Sequence, residues 1–90
     1  MNFEWDEKKR QSNIEKHGFD FLGVRHIFDG RPRCDFESPR RGEQRILSIG
    51  ELNGVIVAVA WTQRGADLIR IISVRRARNE EKAKYREIYR

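Results

Sequence analysis

The sequence predicts a small α+β domain in which helices pack on an antiparallel meander sheet of four to five strands. Four strand-like segments follow one another between residues 33 and 74 with short connections. Two of them are separated by Asn53-Gly54, which is a strong signal for a hairpin turn. Polar helical segments precede and follow this region, and helices set beside an antiparallel sheet define the α+β class.

The chain begins with a predicted strand and a polar helix. Phe3-Glu4-Trp5 alternates in polarity, as a short strand does. Asp6 is a candidate N-cap for a helix over 7–16, which Gly18 would end. Ile14 is the main apolar residue of this helix, so we expect the helix to lie on the surface and to offer its face to a partner.

The remaining elements follow from apolar spacing and turn residues. Asp20 is placed to cap a second helix, whose core stripe comprises Phe21, Val24, Ile27 and Phe28. Runs bounded by turn residues predict four strands, at Arg33 to Glu37, Arg45 to Glu51, Val55 to Thr62 and Leu68 to Val74. A final helix is predicted over Arg78 to Tyr89. Consecutive strands with short turns normally pair as an antiparallel meander.

Length and composition restrict the class of protein. Ninety residues correspond to one domain spanning 1–90. The longest apolar run, seven residues from Val55 to Trp61, is far shorter than the roughly 20 that cross a bilayer. Cys34 is the only cysteine, which excludes an internal disulfide and favours a buried thiol without chemistry. Without a signal peptide pattern, we expect a cytoplasmic protein that does not contact a membrane.

Charge is concentrated at the C-terminal end. The net charge of +5 comes from 19 basic and 14 acidic residues, and residues 64–90 alone carry nine basic and four acidic side chains. The basic residues are mainly arginine, which suits bidentate contact with phosphate. The excess indicates a polyanionic ligand or an acidic protein partner, although a merely solvated surface would show the same composition.

Few residues in the chain are candidates for chemistry. The standard nucleotide-binding and metal-binding motifs are absent, so neither a cofactor nor a metal is expected. His17 ends the first helix, where it can cap the helix or carry a proton, whereas His26 reads as a surface residue. Arg64 and Arg75 lie at opposite ends of the predicted hairpin of the last two strands, with Arg70 between them.

Several of these residues form an ordered pattern that resembles a known family. The first half contains Phe3-Glu4-Trp5-Asp6, Asn13, Lys16-His17-Gly18, Phe21 and Phe28-Asp29. The second half contains Glu43, Arg45, Ile49-Gly50, Thr62, Arg64, Arg70-Ile71-Ile72-Ser73, Arg75-Arg76-Ala77, Glu81 and Tyr85. This set resembles the BrnT toxins over nearly the whole chain. Its most specific part is the segment from Arg70 to Ala77.

The resemblance implies a fold, an activity and a partner. BrnT proteins are ribonuclease toxins of bacterial type II toxin–antitoxin systems, with a RelE-like fold. Their partner, BrnA, is an antitoxin with a ribbon-helix-helix DNA-binding part. The resemblance therefore implies an RNA substrate, a BrnA-like antitoxin and contact with operator DNA only through that antitoxin.

We interpret the residues as those of a metal-independent endoribonuclease that cuts mRNA. The 2′-hydroxyl of the RNA would attack the adjacent phosphate, which requires an acid, a base and a cationic clamp. Arg64 and Arg75 are the candidate clamp, and His17 or Lys16 is the first candidate for proton transfer, followed by Tyr85 and Glu43. The candidate RNA-binding residues are Arg70, Arg76, Arg78 and Lys82.

Two other functions remain open on the sequence alone. The basic C-terminal segment would equally serve a binding module that pairs with an acidic or DNA-binding partner without catalysis. A protein that binds DNA on its own is the weakest alternative, because no helix-turn-helix pattern is visible.

Overall fold

The computed structural model describes residues 1–89 and contains the predicted elements in the predicted order. The helices are α1 (Glu7–His17), a 3₁₀ helix (Phe21–Phe28) and α2 (Asn79–Ile88). The strands are β1 (Asn2–Glu4), β2 (Arg33–Glu37), β3 (Ile46–Leu52), β4 (Val55–Gly65) and β5 (Leu68–Arg76). The last two strands are longer than predicted, because both continue into polar residues at their ends.

The five strands form one mixed sheet in the order β1-β5-β4-β3-β2. Strands β2 to β5 pair antiparallel, which confirms the predicted meander. The β3–β4 turn has positive φ at both Asn53 and Gly54, 51° and 80°, as a primed hairpin turn requires. Strand β1 differs from the antiparallel expectation, because it pairs parallel with β5. The chain between the two strands, residues 5–67, contains α1, the 3₁₀ helix and β2 to β4, and it gives the long connection that parallel pairing needs.

The segment after Asp20 is a 3₁₀ helix, and its period explains its core residues. Asp20 accepts a hydrogen bond from the Leu22 amide, as predicted for a cap. A 3₁₀ helix has three residues per turn, so residues three apart lie on one side. Phe21, Val24 and Ile27 are accordingly almost completely buried, whereas Phe28 is half-buried and meets Trp61 edge-on.

The sheet has one fully covered face and one partly covered face. On the first face the 3₁₀ helix closes the main core, which comprises Phe21, Val24, Ile27, Leu52, Val57, Val59, Trp61, Ile69, Ile71 and Val74. On the second face α2 covers a smaller core of Cys34, Ile49, Ala58, Ala77 and Tyr85. Ten residues of α2 cannot cover this whole face, so part of it stays open beside β3 to β5.

Helix α1 is held against β5 by an asparagine. Ile14, its main apolar residue, is 39% exposed, while Asn13 is only 5% exposed. The Asn13 Oδ1 atom accepts a 3.0 Å hydrogen bond from the Val74 amide, and its Nδ2 atom donates at 2.9 Å to the Phe19 carbonyl. A polar contact therefore fixes a helix that has little apolar surface to bury.

Candidate active site

A groove of about 380 Å³ opens on the second face of the sheet, beside the first turn of α2. Its floor is formed by the short or apolar residues Leu47, Ala60, Ile72 and Ser73. Its walls carry the cations Arg40, Arg45, Arg75 and Arg78, together with Ser38 and one carboxylate, Glu81. Such a concave surface with convergent cations is suited to an anion with several oxygens.

Arg75 and Glu81 form the best-ordered contact in the groove. The two Nη atoms of Arg75 donate to the two carboxylate oxygens of Glu81 at 2.8 and 3.0 Å. Glu81 also accepts a 2.7 Å hydrogen bond from the Arg78 amide, which ties the start of α2 to β5. The hydrogen bonds from Arg75 lower the pKa of Glu81 and raise the pKa of Arg75, so both remain charged at neutral pH.

A second charged pair lies at the opposite wall, where β2 connects to β3. The Arg45 Nε atom donates to Glu43 at 2.7 Å, and this bond lowers the pKa of the Glu43 carboxyl. The nearby charges of Arg64 and Lys9 act in the same direction. Thr62 donates to the Gln44 carbonyl at 2.7 Å and fixes the connection to β4.

A shallower depression of about 180 Å³ adjoins the groove. Its cationic and polar lining comes from α1 and comprises Lys9, Ser12, Asn13, Lys16 and His17. Ile72 and Ser73 line this depression as well as the groove, so the two cavities meet at these residues. Ile72 is the extra residue of a β-bulge, because Ile71 pairs with Trp61 and Ser73 with Ala60.

The structure brings four of the predicted site residues to this region. Arg75 and Arg78 line the groove, and Lys16 and His17 line the adjoining depression. Glu43 reaches the groove through its ion pair with Arg45.

Two predicted catalytic residues lie elsewhere. Arg64 is at a bulge near the β4–β5 turn, whereas Arg75 pairs with Ala58, so roughly 20 Å of strand separates them. Arg64 is not among the residues that line the groove, although its charge is near enough to lower the pKa of Glu43, so the structure does not bring it into a joint clamp with Arg75 there. Tyr85 belongs to α2, and its side chain is buried between that helix and the sheet, which raises the pKa of its phenol.

The predicted RNA-binding residues are also divided. Only Arg78 lies in the groove. Arg70 is paired with Glu4 across the β1–β5 contact. Arg76 and Lys82 line a separate groove next to Tyr85, which α2 divides from the first.

Four polar or charged residues in the walls of the groove were not site candidates from the sequence: Ser38, Arg40, Arg45 and Glu81. Arg40 and Arg45 flank the loop between β2 and β3, and Ser38 donates its amide to the Arg45 carbonyl at 2.8 Å. The sequence predicted that β2 and β3 would pair and that β3 would pair with β4. This pairing places the β2–β3 connection near β4, and it could have pointed to Ser38, Arg40 and Arg45.

Residues 1–89 contain neither a cluster of metal-ligating side chains nor a helix that could cross a bilayer. No three His, Cys, Asp or Glu side chains in this range gather as a group that could hold a metal ion. None of the helices in the described part of the chain is long and apolar enough to span a bilayer.

Comparisons with known proteins identify the family. The family model described as "Ribonuclease toxin, BrnT, of type II toxin-antitoxin system" matches residues 5–81. The chain is also similar to the crystal structure of the Brucella abortus ribonuclease toxin BrnT, with 36% sequence identity and a TM-score of 0.69. The match covers 88% of this chain and 99% of that one. A comparison with curated proteins finds no significant match. The chain therefore belongs to the BrnT family of ribonuclease toxins of type II toxin–antitoxin systems.

Proposed function

We propose that this chain is a metal-independent endoribonuclease that cuts mRNA in the groove beside α2, through attack by the RNA 2′-hydroxyl. The observation that carries the proposal is the convergence of four arginines on one groove, with Lys16 and His17 in the depression next to it. Family membership supplies the class of reaction, and the arrangement of charges supports the finer assignment.

The arginines are proposed to stabilise the phosphorane-like transition state. Arg75 is oriented by Glu81 before substrate arrives, so little reorganisation is needed when charge develops on the phosphoryl oxygens. Arg78 extends from the start of α2 into the same groove and has no ion-pair partner among residues 1–89. We therefore assign the clamp to Arg75 and Arg78, with Arg45 at the opposite wall.

Proton transfer is assigned to Lys16 and His17, at the end of α1. A base removes the proton of the 2′-hydroxyl as its oxygen bonds to phosphorus. The bond from phosphorus to the 5′-oxygen then breaks, and an acid protonates that oxygen. The products are a 2′,3′-cyclic phosphate and a 5′-hydroxyl. His17 and Lys16 are the candidates next to the groove, and histidine most often performs such transfers.

Glu43 and Tyr85 are weaker candidates for the acid and base. The lowered pKa of Glu43 keeps this carboxylate ionised but makes it a poor base. Tyr85 does not line the groove, and its raised pKa disfavours the phenolate that would act as a base.

The proposed protein partner is a BrnA-like ribbon-helix-helix antitoxin. In the complex, only the antitoxin would contact operator DNA. A type II toxin has a protein antitoxin by definition of the system, and the family match assigns this chain to such a system. An inhibitor that covers the groove would neutralise the cations that RNA needs.

Cleavage of a defined single-stranded RNA by purified protein in EDTA, followed by end-group analysis, tests the proposal. The expected product carries a 2′,3′-cyclic phosphate. Arg78→Ala is the sharpest variant because its side chain is exposed and unpaired, so the fold should persist. Removing one such donor should lower kcat about 10²-fold. Arg25→Ala, an exposed arginine on the 3₁₀ helix, removes the same charge and should cut RNA normally.

Two results would contradict the proposal. Uncut RNA, from protein shown to be folded, would leave a binding module that pairs with an acidic or DNA-binding partner. Cleavage that stops in EDTA and returns with added magnesium would show a metal-dependent reaction.

A further inference from the structure

A second basic groove, of about 390 Å³, lies on the same face of the sheet as the candidate active site. Helix α2 separates the two. Along β4, Ile56 lines the second groove, Ala58 lies beneath α2 and Ala60 lines the first groove. The centres of the two grooves are therefore about 13 Å apart along the strand.

The cations of this second groove are available to a ligand. Arg76, Lys82 and Arg86 line it and take part in none of the ion pairs among residues 1–89. By contrast Arg75, the residue before Arg76, already has a carboxylate partner. Among residues 1–89, Glu51 is the one carboxylate that lines the groove. The local excess of positive charge favours an anionic ligand.

The groove also offers surfaces on which nucleobases can rest. Tyr89 is 38% exposed, and its ring lies 5.3 Å from that of Tyr85. The Tyr89 hydroxyl donates to the Arg33 carbonyl at 2.9 Å, which limits rotation of the ring. Aromatic rings beside basic side chains are the usual elements of single-strand binding surfaces.

We infer that the second groove is a subsite for single-stranded RNA on one side of the scissile phosphate. The inference rests on the proposed ribonuclease function of the first groove. RNA is favoured over an acidic protein segment because the exposed ring of Tyr89 lies beside the cations, where a nucleobase can stack. The spacing of about 13 Å between the grooves is also one that a strand of a few nucleotides can span. The subsite holds the substrate and takes no part in bond breaking.

The test compares two variants that remove the same charge. Lys82→Ala/Arg86→Ala removes two cations of the second groove. Lys84→Ala/Arg25→Ala is the control, because Lys84 lies over the Phe36 ring on another side of α2 and Arg25 lies on the 3₁₀ helix. Circular dichroism verifies the fold of both variants.

Binding is measured against salt with a 2′-O-methyl RNA, which cannot be cut by 2′-hydroxyl attack. Loss of two phosphate contacts should reduce the slope of log Kd against log salt by about 1.4. With cleavable RNA, the Lys82→Ala/Arg86→Ala variant should have a higher KM for an oligonucleotide and an unchanged kcat. It should cut a dinucleotide as well as the wild type does, because a dinucleotide is too short to reach the second groove. The control should match the wild type in every measurement.

Three outcomes would overturn the inference. The first is a salt slope equal to that of the control. The second is an equal loss for the dinucleotide and the longer RNA. The third is that the Lys82→Ala/Arg86→Ala variant binds poly-glutamate more weakly than the wild type but binds RNA equally well. That result would assign the groove to an acidic protein. If the wild-type protein cuts no RNA, the proposed function is refuted. The subsite is still tested in that case, because binding of the 2′-O-methyl RNA does not require cleavage.

Discussion

Replacing Glu81 by glutamine should destabilise the protein and loosen the wall of the candidate active site. Glu81 accepts two hydrogen bonds from Arg75 and one from the Arg78 amide, all between 2.7 and 3.0 Å. A glutamine oxygen can still accept from Arg78, but its amide group cannot accept from Arg75. The main loss is therefore the bidentate ion pair.

The expected cost follows from the burial of this pair. Its side chains are only 24% and 14% exposed, so solvent screens the pair less than a surface ion pair, which contributes at most about 1 kcal/mol. A hydrogen bond to a charged group contributes about 1.5–3 kcal/mol, so we expect Glu81→Gln to lower the free energy of unfolding by about 2 kcal/mol. For a domain of this size the melting temperature should fall by about 8–16 °C.

Urea unfolding of Glu81→Gln, Arg75→Met and the double variant measures the coupling between the two side chains. Glu80→Gln removes the same charge one residue earlier and should be nearly neutral, because Glu80 is exposed. A coupling below about 0.5 kcal/mol would refute the reasoning, since that is the range seen for independent sites.

The pH dependence gives a second measure of the same pair. Because Arg75 lowers the pKa of Glu81 in the folded state, the pair stabilises the protein fully above the ordinary glutamate value of about 4.3. This contribution is lost as the pH falls through the lower folded-state pKa. The stability difference between wild type and Glu81→Gln should therefore be constant above about pH 5 and shrink below it.

Three further predictions concern the fold. Asn13→Ala leaves the Val74 amide without its acceptor and should cost about 1–3 kcal/mol in urea unfolding; a neutral result would mean that α1 does not depend on this contact. Gly50→Ala would place a Cβ atom 3.1 Å from Ile27 Cγ2 and should cost about 1–3 kcal/mol by crowding, whereas unchanged stability would show that the 3₁₀ helix can shift. Burial raises the pKa of the Cys34 thiol, so a thiol reagent should modify native protein far more slowly than unfolded protein, and equal rates would contradict the burial.

Elements with local causes could be predicted from the sequence. The Asn53-Gly54 turn, the caps of the first two helices and the order of β2 to β5 all depend on residues close in the chain. The parallel pairing of β1 with β5 could not be predicted this way, because it joins residues more than 60 positions apart. The same holds for Asn13, whose burial depends on the open edge of a distant strand.

The candidate site shows the same division. Residue type and position made Arg75, Arg78, Lys16 and His17 candidates, and the fold places these four in or beside one groove. Their separation from Arg64 depends on the strand register, which the sequence did not specify. The carboxylate partners of the arginines also went unrecognised, since such pairs depend on side chains meeting across strands.

The distribution of ion pairs on the second face explains how the groove can stay stable without substrate and still favour the proposed reaction. Arg45, Arg70 and Arg75 each have a carboxylate partner, which limits repulsion among cations on the open sheet. Arg40 and Arg78, in the walls of the groove, have none among residues 1–89 and are available to an anionic ligand. A bound phosphate at the centre must share Arg75 with Glu81, which weakens ground-state binding there. Under the proposed mechanism, the oriented guanidinium would gain interaction as negative charge develops in the transition state. The pairing would then direct binding energy towards the chemical step.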